Sequence, residues 1–459
     1  MKHAPLVLRL PAYAPPTPTR ASAEAAVRLG YLFEEHAAAP TERAAARSGV
    51  TLKLAPGSVT LVTGPSGAGK TTILRAAAEA ARALGWRAVD PSRLSPPERP
   101  AVALIPGGAE VAMRRLSDAG LAEAGCLVRR PRELSDGQRA RLLLALSLEK
   151  AANTARRGRR ALLIADEFAA TLDRATATSM AQSLARAVRR DGRVCALLAT
   201  PRDDLGRALE PEQTVQVRAD GAAVVHAPST ASGTLALDDR YDIEPGALAD
   251  YRALARFHYR AETPTRPARV LVGRDALSGE LAGALVVVFP TLNGRWRQLA
   301  WPGVFTSRDK RRDAHRLNRS LRRIARVVVD PRHRGVGLAE RLVRAYLADP
   351  CTPCTESVAA MGRFSEFFRR AGMIRYDLPV RPRDARLLDA LDHAGVEPFR
   401  LATPTSAWRR AIAGAGEPFL RRELARWSRR PAREPAHVFR EACRRIAAPM
   451  TAFAHGTPD

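Results

Sequence analysis

The run Val59-Thr-Leu-Val-Thr63, then Gly64-Pro-Ser-Gly-Ala-Gly69-Lys70-Thr71, then Thr72-Ile-Leu-Arg-Ala-Ala-Ala-Glu-Ala-Ala-Arg-Ala-Leu84 changes character twice. A β-prone segment gives way to a glycine-rich octet, and the octet to a segment of helical composition. Strand, tight turn and helix in that order satisfy the phosphate-loop pattern. Glycines let the backbone wrap so that successive N–H groups and the N-terminus of the next helix face an anion. The expected nucleotide-binding residues are therefore Gly64, Pro65, Ser66, Gly67, Ala68, Gly69, Lys70, Thr71 and Thr72. Lys70 is expected to neutralise the β- and γ-phosphates, and Thr71 to ligate Mg2+ through its hydroxyl.

Two downstream segments extend this reading. Ala161-Leu-Leu-Ile-Ala-Asp166-Glu167 reads as a buried strand ending in two carboxylates. Asp166 can hold a metal's water shell there, and Glu167 can orient or deprotonate an attacking water. Alone, the segment reads equally as a strand before a solvated turn. Leu134-Ser135-Asp136-Gly137-Gln138, followed by a helix over Arg139–Glu149, offers a hydroxyl and a backbone N–H at the positive end of a helix. Alone, it reads as an ordinary capped helix start.

In this order the three segments resemble the ABC-type ATPase family over residues 49–225. The family's LSGGQ motif stands here as LSDGQ (134–138), and Thr171-Leu172-Asp173 looks like its D-loop. The resemblance implies ATP and Mg2+ sandwiched between two copies, hence a homodimer. It makes Lys70, Ser135 and Glu167 catalytic, Thr71 and Asp166 metal-binding, and Ser135, Gly137, Gln138 and Asp173 contacts to nucleotide. The sequence departs from the family where Leu198-Ala199-Thr200 is followed by Pro201 instead of a switch histidine. No glutamine lies between Lys70 and LSDGQ to serve as the Q-loop ligand, and that span is short for a transporter ATPase. Slow turnover is expected, with ATP acting more as a dimer clamp than as fuel.

A second glycine-containing turn follows the strand Ile324–Val329 and precedes a helix to about Leu347: Asp330-Pro-Arg332-His-Arg334-Gly335-Val336-Gly337-Leu338. Two glycines, a helix N-terminus and two arginines again make a diphosphate cradle, without the lysine and hydroxyl that Mg·NTP requires. An Arg-rich strand-to-helix turn is the plainer alternative. Over 242–380 the segment resembles the GNAT acetyltransferases, whose motif R/Q-x-x-G-x-G/A is met by Arg332, Gly335 and Gly337. Thr355–Ala360 looks like that family's next strand, and Phe364–Met373 like the helix after it. The resemblance implies acetyl-CoA between splayed strands. Its pyrophosphate would lie on the turn amides of Arg334, Gly335, Val336, Gly337 and Leu338, and its pantetheine against Val327 and Val329. Acetyl transfer needs a base and an acid, for which Glu356 and Tyr376 are the candidates; a surface Glu and a half-buried aromatic are the alternatives.

Composition limits the partners. Lys+Arg 74 against Asp+Glu 47 gives a net charge of +27, which favours anionic partners such as RNA or another polyanion. Nearly all the cations are Arg in an Ala/Pro/Gly-rich chain, as a GC-biased coding sequence would also give. The densest basic stretch, Arg308–Arg334, holds eleven Lys/Arg and three Asp. Hydrophobic residues at 46% allow buried cores, and no run approaches the roughly 20 apolar residues that cross a bilayer. Five cysteines do not make a disulfide scaffold, and Cys351-Thr-Pro-Cys354 has metal or redox spacing with no second pair to complete it. A cytoplasmic protein without membrane insertion is expected.

The expected organisation is α/β throughout. A P-loop NTPase of ABC type (45–228) is followed by a GNAT-like α/β acetyltransferase domain (242–380). An extension (1–44) precedes them, with a strand over Leu6–Leu10 and a helix over Ala23–Glu35. A linker (229–241) joins them, and a basic helical C-terminal segment (381–459) ends the chain. Val50–Gly64 reads as two strands around Pro56-Gly57, and Asn293-Gly294 as a hairpin turn placing Trp296 and Trp301 beside an acceptor cleft. The expected function is an ABC-type ATPase coupled to an acetyl-CoA-dependent N-acetyltransferase with a macromolecular acceptor. The alternatives are an ATP-dependent nucleic-acid clamp with a non-catalytic GNAT-like module, and the cytosolic ATPase of a transporter.

Overall fold

The computed structural model describes residues 6–7, 19–29, 50–218, 223–227, 240–258, 264, 266–305, 307, 309–431, 434–446 and 450–458. The chain divides into two compact units. The first holds 1–263, 271–284 and 327–342; the second holds 264–270, 285–326 and 343–459.

In the first unit, β1 (Leu6–Val7) pairs with β2 (Thr51–Leu52). The strands β3 (Val59–Thr63), β4 (Arg87–Val89), β5 (Ala161–Ala165), β6 (Val194–Thr200), β7 (Gln213–Val217) and β8 (Ala223–His226) form a six-stranded sheet of order β4-β5-β6-β3-β7-β8. All its pairings are parallel except β7–β8. Every residue of β5 and β6 is buried, as a parallel sheet covered on both faces requires.

The two-residue period of a strand sends neighbours to opposite faces. Leu61, Leu163 and Leu198 enter one core with Ala177, Ala181, Leu184 and Val188 of the helix Arg174–Asp191. Val62, Leu162 and Leu197 enter the other with Ile73, Leu74, Ala77 and Ala81 of the helix Lys70–Ala83. Both helices present the i, i+4, i+7 stripe of an amphipathic helix, and each fully buried leucine contributes roughly 1.5–3 kcal/mol. A third cluster, including Leu116, Leu121, Leu127, Leu134 and Leu142, gathers the segment 101–145.

Thr51–Leu52 and Val59–Thr63 are strands as expected, but not partners around Pro56-Gly57. The first pairs with Leu6–Val7 and the second lies between β6 and β7. At the N-terminus a helix spans Arg20–Leu29; the remainder of the expected strand (8–10) and helix (30–35), and linker positions 229–239, lie outside the described residues.

A seven-stranded sheet of order β14-β15-β13-β12-β11-β10-β9 follows, built from β9 (Tyr241–Pro245), β10 (Pro267–Asp275), β11 (Leu281–Val288), β12 (Leu321–Val329), β13 (Cys354–Ala359), β14 (Ile374–Asp377) and β15 (Thr451–His455). β12 and β13 are parallel, in register from Leu321–Cys354 to Ile324–Ser357. β15 runs antiparallel to both β13 and β14. The C-terminal segment is thus not wholly helical: its helices over Pro382–Ile446 share a core around Leu391, Leu420, Leu424, Trp427 and Phe439, but Thr451–His455 is an interior strand with Phe453 fully buried.

Asn293-Gly294 does not make a hairpin. Arg297 N–H donates to Gly294 O at 2.9 Å and the chain enters the helical turn Arg297–Ala300. A Cβ on Gly294 would sit 2.7 Å from Cζ of Arg297, so this glycine serves close approach of a guanidinium. Trp301 joins Phe305, Leu317, Leu321 and Cys354 in a core, with Trp296 packed against it, which places neither tryptophan as an open cleft wall. Among the described residues no helix is long and apolar enough to cross a membrane.

Candidate active site

The loop after β3 opens with Gly64 at φ 143°, where a Cβ would meet Val217 O at 2.1 Å. Only glycine fits that approach. Gly67 (φ 77°) and Gly69 (φ 103°) complete the left-handed turns, and a Cβ on Gly67 would meet nothing within 4 Å. The cradle is therefore open where a phosphate has to enter. Pro65, Ser66 and Gly67 are exposed, whereas Ala68 is buried beneath them. Lys70 is itself buried, and its Nζ donates to Gly64 O and Pro65 O, both at 2.8 Å, holding the cation inside the loop.

Thr71 is exposed, and its Oγ1 donates to Asp166 Oδ2 at 2.6 Å. Asp166 follows the last residue of β5 and accepts from Glu167 N–H at 3.0 Å. Glu167 itself is exposed at φ 47°, and Ala169 stands at φ 55°. A non-glycine residue in this region is under backbone strain that the surroundings must hold. Here Phe168 N–H donating to Ala199 O at 2.8 Å pins the turn to β6. The hydroxyl, two carboxylates and lysine thus share the end of the sheet that carries the glycine loop. That donor set suits a magnesium-bound triphosphate, with hard oxygen ligands beside a fixed cation.

Ser135 caps the helix Asp136–Arg156. Its Oγ accepts from Gln138 N–H at 3.4 Å, and Gln138 Oε1 accepts from Ser135 N–H at 3.1 Å, a reciprocal capping box. Gly137 lies in the first turn, 3.5 Å from Thr176 Cγ2 when given a Cβ. Asp173 caps the helix Arg174–Asp191 through Thr176 N–H at 2.9 Å. Burial alone would raise its carboxyl, but the Thr176 hydrogen bonds and the charges of Arg332 and Arg141 outweigh it and hold the group below the ordinary carboxylate range.

At the position of the family's switch histidine, Pro201 follows β6 and Arg202 takes the next position. Its Nη1 donates to Leu172 O at 2.8 Å and its fork grips Asp204. In the sequence, one arginine among so many carries no signal.

The second glycine turn has the expected backbone, with Gly335 at φ 81° and Gly337 at φ 94°. Its surroundings differ from the expectation. Arg332 pairs with Asp330 at 3.1 Å and Glu280 at 2.8 Å. Arg334, its side chain 11% exposed, donates to Val329 O at 2.9 Å and Phe257 O at 3.1 Å and pairs with Glu123 at 3.3 Å. A Cβ on Gly335 would lie 2.2 Å from Ser183 Oγ and 3.3 Å from Gly120 Cα. Val336 and Leu338 are buried. Both cations are spent on protein carboxylates and the Gly335 face is covered, so the turn in this conformation does not fit the pyrophosphate of acetyl-CoA. Val327 and Val329 lie on β12 past its last pairing with β13.

Of the acid–base candidates, Glu356 is placed differently. Glu356 and Arg297 are each 1% exposed and joined by two hydrogen bonds of 2.8 Å, so this carboxylate is a buried structural partner and not an accessible base. Tyr376 packs on Trp296, ring centroids 6.4 Å apart. The missed partner, Arg297, gave no signal because 59 residues separate it from Glu356. Cys354 is fully buried, none of the five cysteines is in a disulfide, and no group of His, Cys, Asp and Glu among the described residues is arranged to hold a metal ion.

No family model matches the sequence, and no curated protein matches it. Solved structures resemble it over part of its length. A dimeric structure of MJ0796, a bacterial ABC transporter cassette, is 19% identical, covers 40% of this chain and 90% of that one, and superposes with a TM-score of 0.31. The cbiO1 protein from Clostridium perfringens, part of an ABC transporter complex, is 15% identical over 40% of this chain and 82% of its own, with a TM-score of 0.30.

Proposed function

We propose that the chain is an ATP-binding and hydrolysing ABC-type ATPase that works as a homodimer in the cytoplasm. One observation carries the reading: an open glycine cradle, the buried Lys70, the Thr71–Asp166 pair and the strained Glu167 converge at one end of the six-stranded sheet. Thr71 and Asp166 would hold Mg2+, which when bound draws charge from the phosphate oxygens. The amides from Ser66 to Thr72 bind the phosphates, Lys70 neutralises them, and Glu167 orients and deprotonates the attacking water. Ser135, Gly137, Gln138 and Asp173 belong to a helix end and a loop that would meet the nucleotide of a second copy. Turnover is slow because Pro201 replaces the histidine. The reading is tested by steady-state phosphate release from Mg·ATP: a rate abolished by Lys70→Ala supports it, and a rate that Lys70→Ala leaves unchanged refutes it.

A second reading, acetyl-CoA-dependent N-acetyl transfer to a macromolecular acceptor such as RNA, requires the turn Arg334–Leu338 to rearrange, since its arginines and its Gly335 face are committed within the protein. It is favoured by the end of the β12–β13 pairing at Ile324–Ser357, past which Val327 and Val329 continue. The helix Lys310–Ser320, with Arg311, Arg312 and Arg319 exposed, supplies charge for a polyanion. Incubation with radiolabelled acetyl-CoA and total RNA, peptides or polyamines separates the cases: label transfer supports it, while ATP-dependent, salt-sensitive RNA binding without transfer favours the clamp. Co-purification with a permease would favour the transporter ATPase.

A further inference from the structure

The glycine loop follows the last residue of β3 and Asp166 the last residue of β5, so both stand at one end of the parallel sheet. At the other end, where neighbouring strands begin, Arg87 is the first residue of β4, Arg160 precedes β5 and Arg193 precedes β6. The register pairs Arg87 with Ala161 and Ala161 with Val194, and Arg87 N–H donates to Arg160 O at 2.9 Å. Three adjacent strand starts thus each carry an arginine, at the strand spacing of about 4.8 Å. All three are exposed.

The turn that feeds β5 reads Arg156-Arg157-Gly158-Arg159-Arg160. Gly158 stands at φ 76°, and a Cβ there would meet nothing within 4 Å, so the turn opens to solvent. Beside it a cleft of about 520 Å³ is lined by Arg87, Lys150, Arg157 and Arg159 over Leu104 and Leu146. The acid in that lining, Glu149, is buried and already held by Arg115 at 3.2 Å and Arg156 at 2.6 Å. Among the described residues, the side chains of the four lining cations make no ion pair or hydrogen bond. Composition alone does not produce such a surplus, because nearby arginines do find acids: Arg190 pairs with Asp118 at 2.7 Å and Arg189 with Glu212 at 3.0 Å. At the β6 end Asp191 stands two residues before Arg193 and lowers the surplus there.

Like charges gathered in one cleft repel, and an anion from outside relieves them. The volume lies within the roughly 300–1,000 Å³ of small-ligand sites, which admits single nucleotides and not the girth of a duplex. Its apolar floor can cover the face of a base. Arg160 lies over the Trp86 ring, 5.2 Å from its centroid, and presents a flat cation on which a base can stack. We infer that this end of the sheet binds single-stranded nucleic acid, with phosphates on Arg87, Lys150, Arg157 and Arg159 and bases over the apolar floor and the Arg160 guanidinium. The site is separate from the ATP cradle and rests neither on the ATPase reading nor on acetyl transfer.

Fluorescence anisotropy of short labelled single-stranded RNA and DNA, without nucleotide, tests it on the full chain. Wild type is compared with Lys150→Ser/Arg157→Ser/Arg159→Ser and with Arg409→Ser/Arg422→Ser/Arg430→Ser, which removes the same charge from exposed positions of the C-terminal segment. Both triple variants alter exposed side chains only, and matched urea midpoints establish that they fold. Four neutralised phosphates predict a log–log salt slope of about −3, so wild-type binding weakens about 50-fold between about 50 and 200 mM salt. The cleft variant should bind about tenfold more weakly at low salt with a slope shallower by about 2, while the C-terminal variant stays within about twofold of wild type. Equal losses in the two variants would reduce the effect to net charge and overturn the site. So would failure of both single strands to bind, or tighter binding to duplex DNA or to phosphatidylserine vesicles. Phosphate release from Mg·ATP, measured in parallel, should be the same in the cleft variant and wild type; its absence from wild type would count against the ATPase reading alone.

Discussion

Thr71 Oγ1 and Asp166 Oδ2, 2.6 Å apart, tie the first turn of the helix after the glycine loop to the end of β5. The hydroxyl donates to the carboxylate, and in the proposed function the same two oxygens would be the hard ligands that hold Mg2+. Thr71→Val and Asp166→Asn should each remove the Mg2+ dependence of ATP binding, whereas Lys70→Ala should remove binding itself. Thermal-shift titration checks this: at a hundredfold excess over Kd, ligand binding stabilises wild type by about 2.7 kcal/mol, and Lys70→Ala should show no shift.

Glu167 is exposed at a positive φ and makes no contribution to the core. Its replacement by Gln keeps shape and removes the proposed base. Phosphate release should fall by about 10²–10⁴-fold with ATP affinity within a factor of a few of wild type, measured by single-turnover hydrolysis and equilibrium titration.

The Arg297–Glu356 pair predicts a stability effect. Removing one partner of a buried ion pair leaves an uncompensated charge and costs about 3–5 kcal/mol. Glu356→Ala should therefore destabilise the second unit by that order, while the double variant Arg297→Met/Glu356→Leu costs less. Urea unfolding followed by fluorescence of Trp296 and Trp301 reads it. A Glu356→Ala protein of wild-type stability would contradict the structural role.

His333 titrates in the sense opposite to a salt-bridged histidine. Its ring is 1% exposed and Nδ1 lies 3.0 Å from Tyr241 Oη. Burial, reinforced by the Arg240 charge, holds its pKa below the ordinary 6.5. Between the folded and unfolded values the unfolded chain binds more protons, so stability rises with pH. Wild type should lose melting temperature as pH falls from 6.5 toward the lowered folded value, and His333→Gln should not show that component. A pH-independent difference between the two proteins would contradict this.

The parts of the candidate site that were legible in the sequence are local. A glycine loop, a strand ending in Asp166-Glu167 and the Ser135–Gln138 capping box each depend on residues a few positions apart, so spacing alone reports them. Glu123, Arg141 and Arg297 escaped because their partners, Arg334, Ser179 and Glu356, are distant in the chain and chemically ordinary in an Arg-rich protein. The fold divides the same way. β-prone and continuously apolar composition marks β3 and β5 in the sequence, but Thr451–His455 is five residues after a long helical stretch, and only its pairing with β13 and β14 makes it a sheet strand. Asn293-Gly294 carried a hairpin signal that the Arg297 guanidinium, packed on Gly294, overrode.

The central claim is that ATP is enclosed between the glycine loop of one copy and the Ser135 helix of another. Light scattering of Glu167→Gln with Mg·ATP tests it most directly. The account predicts a molar mass that doubles on adding nucleotide and returns to the single-chain value when Ser135→Glu is introduced. A mass that stays at the single-chain value while ATP is bound would contradict it.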